Sequence, residues 1–136
     1  MKRLLLFLLS IAGISVISCV DYGVPYATFE LKGNITDTLN NPIENIQVSI
    51  DYDATTSDAE GNYGIAVYTE GTATSEFLVK VEDIDGEENG GEFQTHIISL
   101  PVKESDYVGK KKDSKWDMGK ATKEVNFKLI KKQNDE

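Results

Sequence analysis

Ile46, Val48, Ile50 and Tyr52 alternate without a break with Gln47, Ser49 and Asp51. Successive side chains of a strand point to opposite faces, so this stretch has one apolar and one polar face. Such a strand needs a second apolar layer to cover it. The same period returns along the chain. Phe29, Leu31 and Ile35 share one parity, against Glu30, Lys32, Asn34 and Thr36. Tyr63, Ile65 and Val67 make another inward row, and Phe77, Val79 and Val81 the next. Further strands are expected over residues 55–57, over 93–100, where Ile97 and Ile98 blur the parity, and over 125–129 on Val125, Phe127 and Leu129. Turn signals separate them, among them Asn40-Asn41-Pro42 and Asp58-Ala59-Glu60-Gly61. Seven short strands with regular turns predict an all-β, seven-stranded antiparallel Greek-key β-sandwich. Residues 101–120 have no apolar period and read as a long loop.

Before this pattern stands a different one. Lys2 and Arg3 precede an apolar run over residues 4–17, interrupted only by glycine and serine, which gives way to Asp21-Tyr22-Gly23-Val24-Pro25. A spanning helix wants about 20 apolar residues, so the run reads as a signal peptide. It closes on Val16-Ile17-Ser18-Cys19. That tetrad resembles the bacterial lipobox, with Val16 where leucine is commoner. The resemblance implies a diacylglycerol thioether on Cys19, cleavage before it and acylation of the new N-terminus, palmitate being a typical acyl chain. The expected organisation is a lipoprotein signal peptide over 1–18, a lipidated tether over 19–27, a β-sandwich over 28–131 and a tail over 132–136. The expected location is the cell envelope, lipid-anchored to the inner or outer membrane on the periplasmic or surface side. Cys19 is the one cysteine, so no intramolecular disulfide is available.

Residues 19–136 keep 12 lysines against 23 aspartates and glutamates. An acidic balance of this size disfavours nucleic acid, whose phosphates need a basic face. By the same argument an anionic membrane repels the domain as a whole, which leaves the lipid to hold it.

Two resemblances add to this reading. Gly33-Asn34-Ile35-Thr36-Asp37, Asn41-Pro42-Ile43, Ile46-Gln47-Val48-Ser49-Ile50 and Thr56-Ser57-Asp58-Ala59-Glu60-Gly61-Asn62-Tyr63 resemble the carboxypeptidase regulatory-like, transthyretin-like (Ig-like) sandwich domain. In such a turn Asp58 caps, Gly61 takes a positive φ and Tyr63 re-enters the core. Asn41 stands where that family has glycine, and asparagine tolerates the left-handed region. The module is typically non-catalytic there. The segment Cys19-Val20-Asp21-Tyr22-Gly23-Val24-Pro25, Asp83-Ile84-Asp85-Gly86 and Trp116 ahead of Val125-Asn126-Phe127-Lys128-Leu129 are similar to the small radical SAM-associated lipoproteins. That likeness implies a radical SAM enzyme as a neighbour, and the chain as its possible substrate.

Catalytic patterns are thin. His96 is the one histidine, and no nucleophile-elbow sequence is present. No enzyme activity and no resident cofactor are expected. The acidic turn over residues 82–92 carries six carboxylates, and Asp83, Asp85 and Glu87 are candidates for a calcium site. Glu88 stands where a calcium loop of the EF-hand type needs glycine, and Asp85-Gly86 and Asn89-Gly90 equally suit a solvated hairpin. Tyr107 and Trp116 sit among lysines and aspartates in the expected loop. They are candidates to stack on a carbohydrate or anchor a protein partner, or else to fold back over a sheet edge. The function these features imply is a membrane-anchored lipoprotein with a non-catalytic binding or structural sandwich. The alternatives are a radical SAM substrate and a carbohydrate- or calcium-binding envelope protein.

Overall fold

The computed structural model describes residues 23–71 and 75–134. The signal segment and Cys19 therefore lie outside the described residues. Eight strands form two sheets, with no α-helix among the described residues. They are β1 (Tyr26–Asp37), β2 (Ile46–Ile50), β3 (Asp53–Thr56), β4 (Asn62–Glu70), β5 (Ser75–Asp83), β6 (His96–Val102), β7 (Asp117–Glu124) and β8 (Phe127–Leu129). One sheet runs β4-β1-β7, with β8 also on β1; the other runs β3-β2-β5-β6.

The alternating rows are what the sheets bury. Phe29, Leu31, Ile35, Val48, Ile50, Val79 and Val81 are all enclosed, as are Tyr63, Ile65, Val67, Phe77, Phe127 and Leu129. Val125 is half-buried and packs on their edge. Phe29 of one sheet stacks on Phe77 of the other at 4.4 Å, ring planes 6° apart. Glu30, Lys32, Gln47, Ser49 and Lys128 face outward, exposed or half-exposed. The register thus follows the parity of the sequence.

Several expectations change. There are eight strands rather than seven, because residues 117–124 form β7, which begins inside the stretch read as loop and runs past its end. β6 also continues to Val102, and a single 3-10 turn covers Glu104–Asp106. The sheets are not purely antiparallel: β1 pairs parallel with β7 and then with β8. Tyr52 does not extend the inward row of β2. Asp51 takes φ 53° and turns the chain, leaving Tyr52 fully exposed at a hairpin tip. Finally, β1 starts at Tyr26, inside the stretch read as tether.

β1 changes partner at Gly33. There the Val125 carbonyl comes so close that a Cβ on residue 33 would lie 1.9 Å from its oxygen. The Tyr63 hydroxyl donates to that same carbonyl at 2.6 Å, and burial raises its pKa above the usual phenol value.

The 58–63 turn matches its expectation. Asp58 Oδ1 accepts from the Glu60 and Asn62 N–H groups, at 3.0 and 2.8 Å, and Gly61 has φ 78°. In the earlier turn it is Asn40, not Asn41, that takes the left-handed conformation, at φ 64°. Asn41 instead donates to Asp37, which also caps Leu39. Ser57 is a buried hydroxyl with both roles filled: it accepts from Ile46 N–H at 3.0 Å and donates to the Ile43 carbonyl at 2.7 Å.

Candidate functional site

The two ends of the sandwich differ in chemistry. Phe29 near the start of β1 faces Phe77 near the start of β5, so both strands begin at one end. The Gly71 N–H donates to the Pro25 carbonyl at 2.8 Å and ties the close of β4 to that end as well. The stretch expected as tether enters β1 here, and this end is named the tether end after that expectation. The acidic turn follows Asp83 at the other end.

At the acidic end the structure brings Asp83 and Asp85 together and leaves Glu87 apart. Asp83 Oδ1 accepts from Asp85 N–H at 3.2 Å, and its Oδ2 accepts from Phe93 N–H at 3.0 Å. The second contact explains why Phe93 is buried: a bridge to Lys131 and this carboxylate pin it inward. Asp85 Oδ2 accepts from Asn89, while its Oδ1 is enclosed without a donor. Glu87 lies instead by Gly91, Glu92, Lys131 and Lys132. Lys132 pairs with Glu92 at 2.5 Å. Among the described residues no three His, Cys, Asp or Glu side chains are grouped to hold a metal ion.

Burial raises the Asp83 pKa above the ordinary value of 3.8, and the neighbouring Asp85 carboxyl adds to the rise. A proton on Asp83 can be donated to Asp85; without it the two carboxylates repel. A raised folded pKa means a contribution to stability that is full at low pH and is lost as pH rises through that pKa. Asp83→Asn has no charge to acquire. Urea titrations from about pH 4 to about pH 7 are expected to show the variant gaining on the native protein as pH rises. A gap moving the other way would contradict this arrangement. Glu30, Asp37 and Asp106 have lowered pKa values, through Lys120, through the Asn41 N–H and through the Lys103 N–H respectively. Their contributions run oppositely and are lost as pH falls, which is why the comparison is between variant and native protein at each pH.

At the tether end lie Tyr107 and Trp116, both half-buried. Tyr107 packs against the core. Its hydroxyl is enclosed and its pKa is raised by burial. The Thr69 hydroxyl is close, but is committed to the Ala27 carbonyl at 3.2 Å and forms no well-directed bond with Tyr107. Trp116 packs on Gly23: a Cβ there would lie 2.1 Å from the indole Nε1. The Trp116 carbonyl accepts from Tyr26 N–H at 2.8 Å. Ser114 Oγ accepts from the N–H groups of Trp116 and Asp117, at 3.2 and 3.0 Å. Asp117 is buried and accepts from Gly119 N–H at 2.8 Å. The two aromatics thus come to the same end of the sandwich, each fastened to it.

The sequence reading missed an aromatic pair there, half-buried Tyr26 and exposed Tyr68. Tyr26 and Tyr68 stack at 5.7 Å on the outer face of the first sheet, as diagonal neighbours on β1 and β4. Their register depends on strand pairing, and no local pattern reveals it. His96 is exposed; it pairs with Val81 on β5, and its ring meets the edge of Phe127 at 6.0 Å. A groove of about 350 Å³ runs beside Gly33, lined by Lys32, Asn34, Asn62, Glu124 and Asn126. Its amides bond one another: Asn34 N–H to Asn126 at 2.9 Å and the Asn34 amide to Asn62 at 3.0 Å. Against known proteins, the chain matches no family model and no curated protein.

Proposed function

We propose that this protein is a bacterial envelope lipoprotein, held to the membrane through lipid on Cys19 and presenting a non-catalytic sandwich as a binding or structural module. The observation that carries the reading is the basic start and apolar run that close on Val16-Ile17-Ser18-Cys19. Further support comes from the path of the chain. The first described residues run directly into β1, and Trp116 lies against Gly23 four residues beyond Cys19. On this reading the sandwich would sit close to its anchor. The Asp58–Gly61 turn supports kinship with the transthyretin-like, Greek-key sandwiches, whose module is typically non-catalytic.

Intact mass of the protein extracted from membranes tests the reading. The expected species begins at Cys19 and carries diacylglycerol plus one amide-linked acyl chain, with residues 20–136 otherwise unmodified. A species that starts elsewhere and carries no lipid would overturn it. A further mass change on residues 20–136, lost when a neighbouring radical SAM enzyme is removed, would favour the substrate reading.

A further inference from the structure

We infer that the loop from Lys110 to Lys115, seated at the tether end, docks on the anionic phospholipid headgroups of the membrane that holds the anchor. The inference rests on the lipid-anchor reading. It modifies one consequence of the overall charge, because that charge is unevenly placed. Of the 23 carboxylates, 16 precede Lys103, whereas ten of the twelve lysines of residues 19–136 fall between Lys103 and Lys132.

Lys110, Lys111, Lys112 and Lys115 are all exposed. Elsewhere four lysines are paired, Lys80 with Glu82, Lys120 with Glu30, Lys123 with Asp106 and Lys132 with Glu92, and Lys32, Lys103, Lys128 and Lys131 lie scattered rather than in a cluster. Among the described residues none of the four loop lysines makes a salt bridge. Asp113 is the one carboxylate inside the loop; Glu70, Glu76, Glu104 and Asp106 lie at the same end, Asp106 paired with Lys123. The acidic turn lies beyond the far end of nine-residue β5, about 26 Å away at strand rise.

The loop's position is fixed by contacts. Lys111 N–H reaches the buried Asp117 carboxylate at 3.4 Å, Val108 and Lys120 exchange two backbone bonds at 2.9 and 2.8 Å, and Trp116 lies on Gly23. Gly23 is four residue steps from Cys19, a reach of at most ~14 Å however they are arranged. With the lipid in the bilayer, the loop stands within one or two screening lengths of the headgroups, since that length is about 8 Å at physiological salt. Val24 and Val108, 54% and 69% exposed, flank it with apolar surface. A lysine near an anionic surface shifts a docking equilibrium by about fivefold. The docked domain would direct its acidic end away from the membrane.

Trp116 is the one tryptophan and reports on the contact. The full acylated chain is reconstituted into vesicles of phosphatidylcholine alone, or with phosphatidylglycerol, each carrying a headgroup nitroxide quencher. Quenching of tryptophan emission is expected to be stronger on the anionic vesicles and to fall in high salt. The triple variant Lys110→Gln, Lys111→Gln, Lys112→Gln is expected to lower the docked-to-undocked ratio on the order of a hundredfold, with an unchanged thermal melt. Equal quenching on both vesicles, or in the triple variant, would overturn the inference. Flotation of the same samples judges the anchor separately. A chain that floats with neutral vesicles without quenching keeps the anchor and loses the docking. A chain that floats with anionic vesicles alone, in a lysine-dependent way, keeps the docking and loses the anchor.

Discussion

Phe29→Ala is expected to lower the free energy of unfolding by about 3–5 kcal/mol. Phe29 is completely buried, and its ring is the one that stacks on Phe77 across the two sheets. It sits on β1, which pairs with β4 on one side and β7 on the other. In the parallel register it stands opposite Ala121, a residue too small to close the space left behind. The cavity would open between the two sheets, beside the Phe77 ring. Domains of this size have about 5–15 kcal/mol in total, so the variant would retain little margin at growth temperature. Urea unfolding monitored by circular dichroism gives the measurement. Tyr52→Ala is the control, because its side chain is fully exposed and changes of that kind stay within about 0.5 kcal/mol. A Phe29→Ala cost under about 1 kcal/mol would contradict the packing described.

Cys19→Ala is expected to move the protein wholly from the membrane to the soluble fraction, and to abolish fatty-acid labelling. Each buried methylene contributes about 0.8 kcal/mol, and one acyl chain alone holds only marginally. A thioether diacylglycerol with an amide-linked chain exceeds that threshold by a wide margin. Removing the sulfur removes the attachment for the diacylglycerol, and with it the signal for the further acylation. Any residual attraction through the lysine loop is electrostatic and would not survive a high-salt wash. Fractionation after such a wash is therefore the measurement. Labelling of Cys19→Ala equal to that of the native protein would refute the lipoprotein reading.

What could be read from the sequence follows the range of each interaction. Val48, Ile50, Val79 and Val81 declare their faces through their immediate neighbours, and all are buried as their parity requires. The Asp58–Gly61 turn is equally local: one carboxylate caps two N–H groups within four residues. β7 is the contrary case. Of its eight residues only Asp117 and Ala121 are buried, so it has no apolar stripe to announce it. It is a strand because β1 lies alongside and offers a parallel ladder, from residues some ninety positions earlier. Phe93 is buried for a similar reason, through Asp83 ten residues back and Lys131 far ahead. At the candidate site the residue types were legible in Asp83, Asp85, Tyr107 and Trp116. Their grouping was not. Glu87 parts from the two aspartates because the turn carries it toward Lys131 and Lys132. The lysine loop meets the tether only because β7 runs beside β1.

The parallel pairing of β1 with β7 and β8 has a mechanical consequence. A lipid-held domain is loaded through its first strand whenever something draws on its far side. In an antiparallel hairpin at a sheet edge, such a pull would open the ladder one bond at a time, like a zip. Here the pulled strand is interior, flanked by β4 along one side and by β7 and then β8 along the other. Force along its axis is shared by both ladders at once, so many bonds must slide together before any is lost. Trp116 on Gly23 adds friction at the point of entry. On the lipid-anchor reading, a pull through the tether would therefore meet shear across two ladders rather than the opening of one.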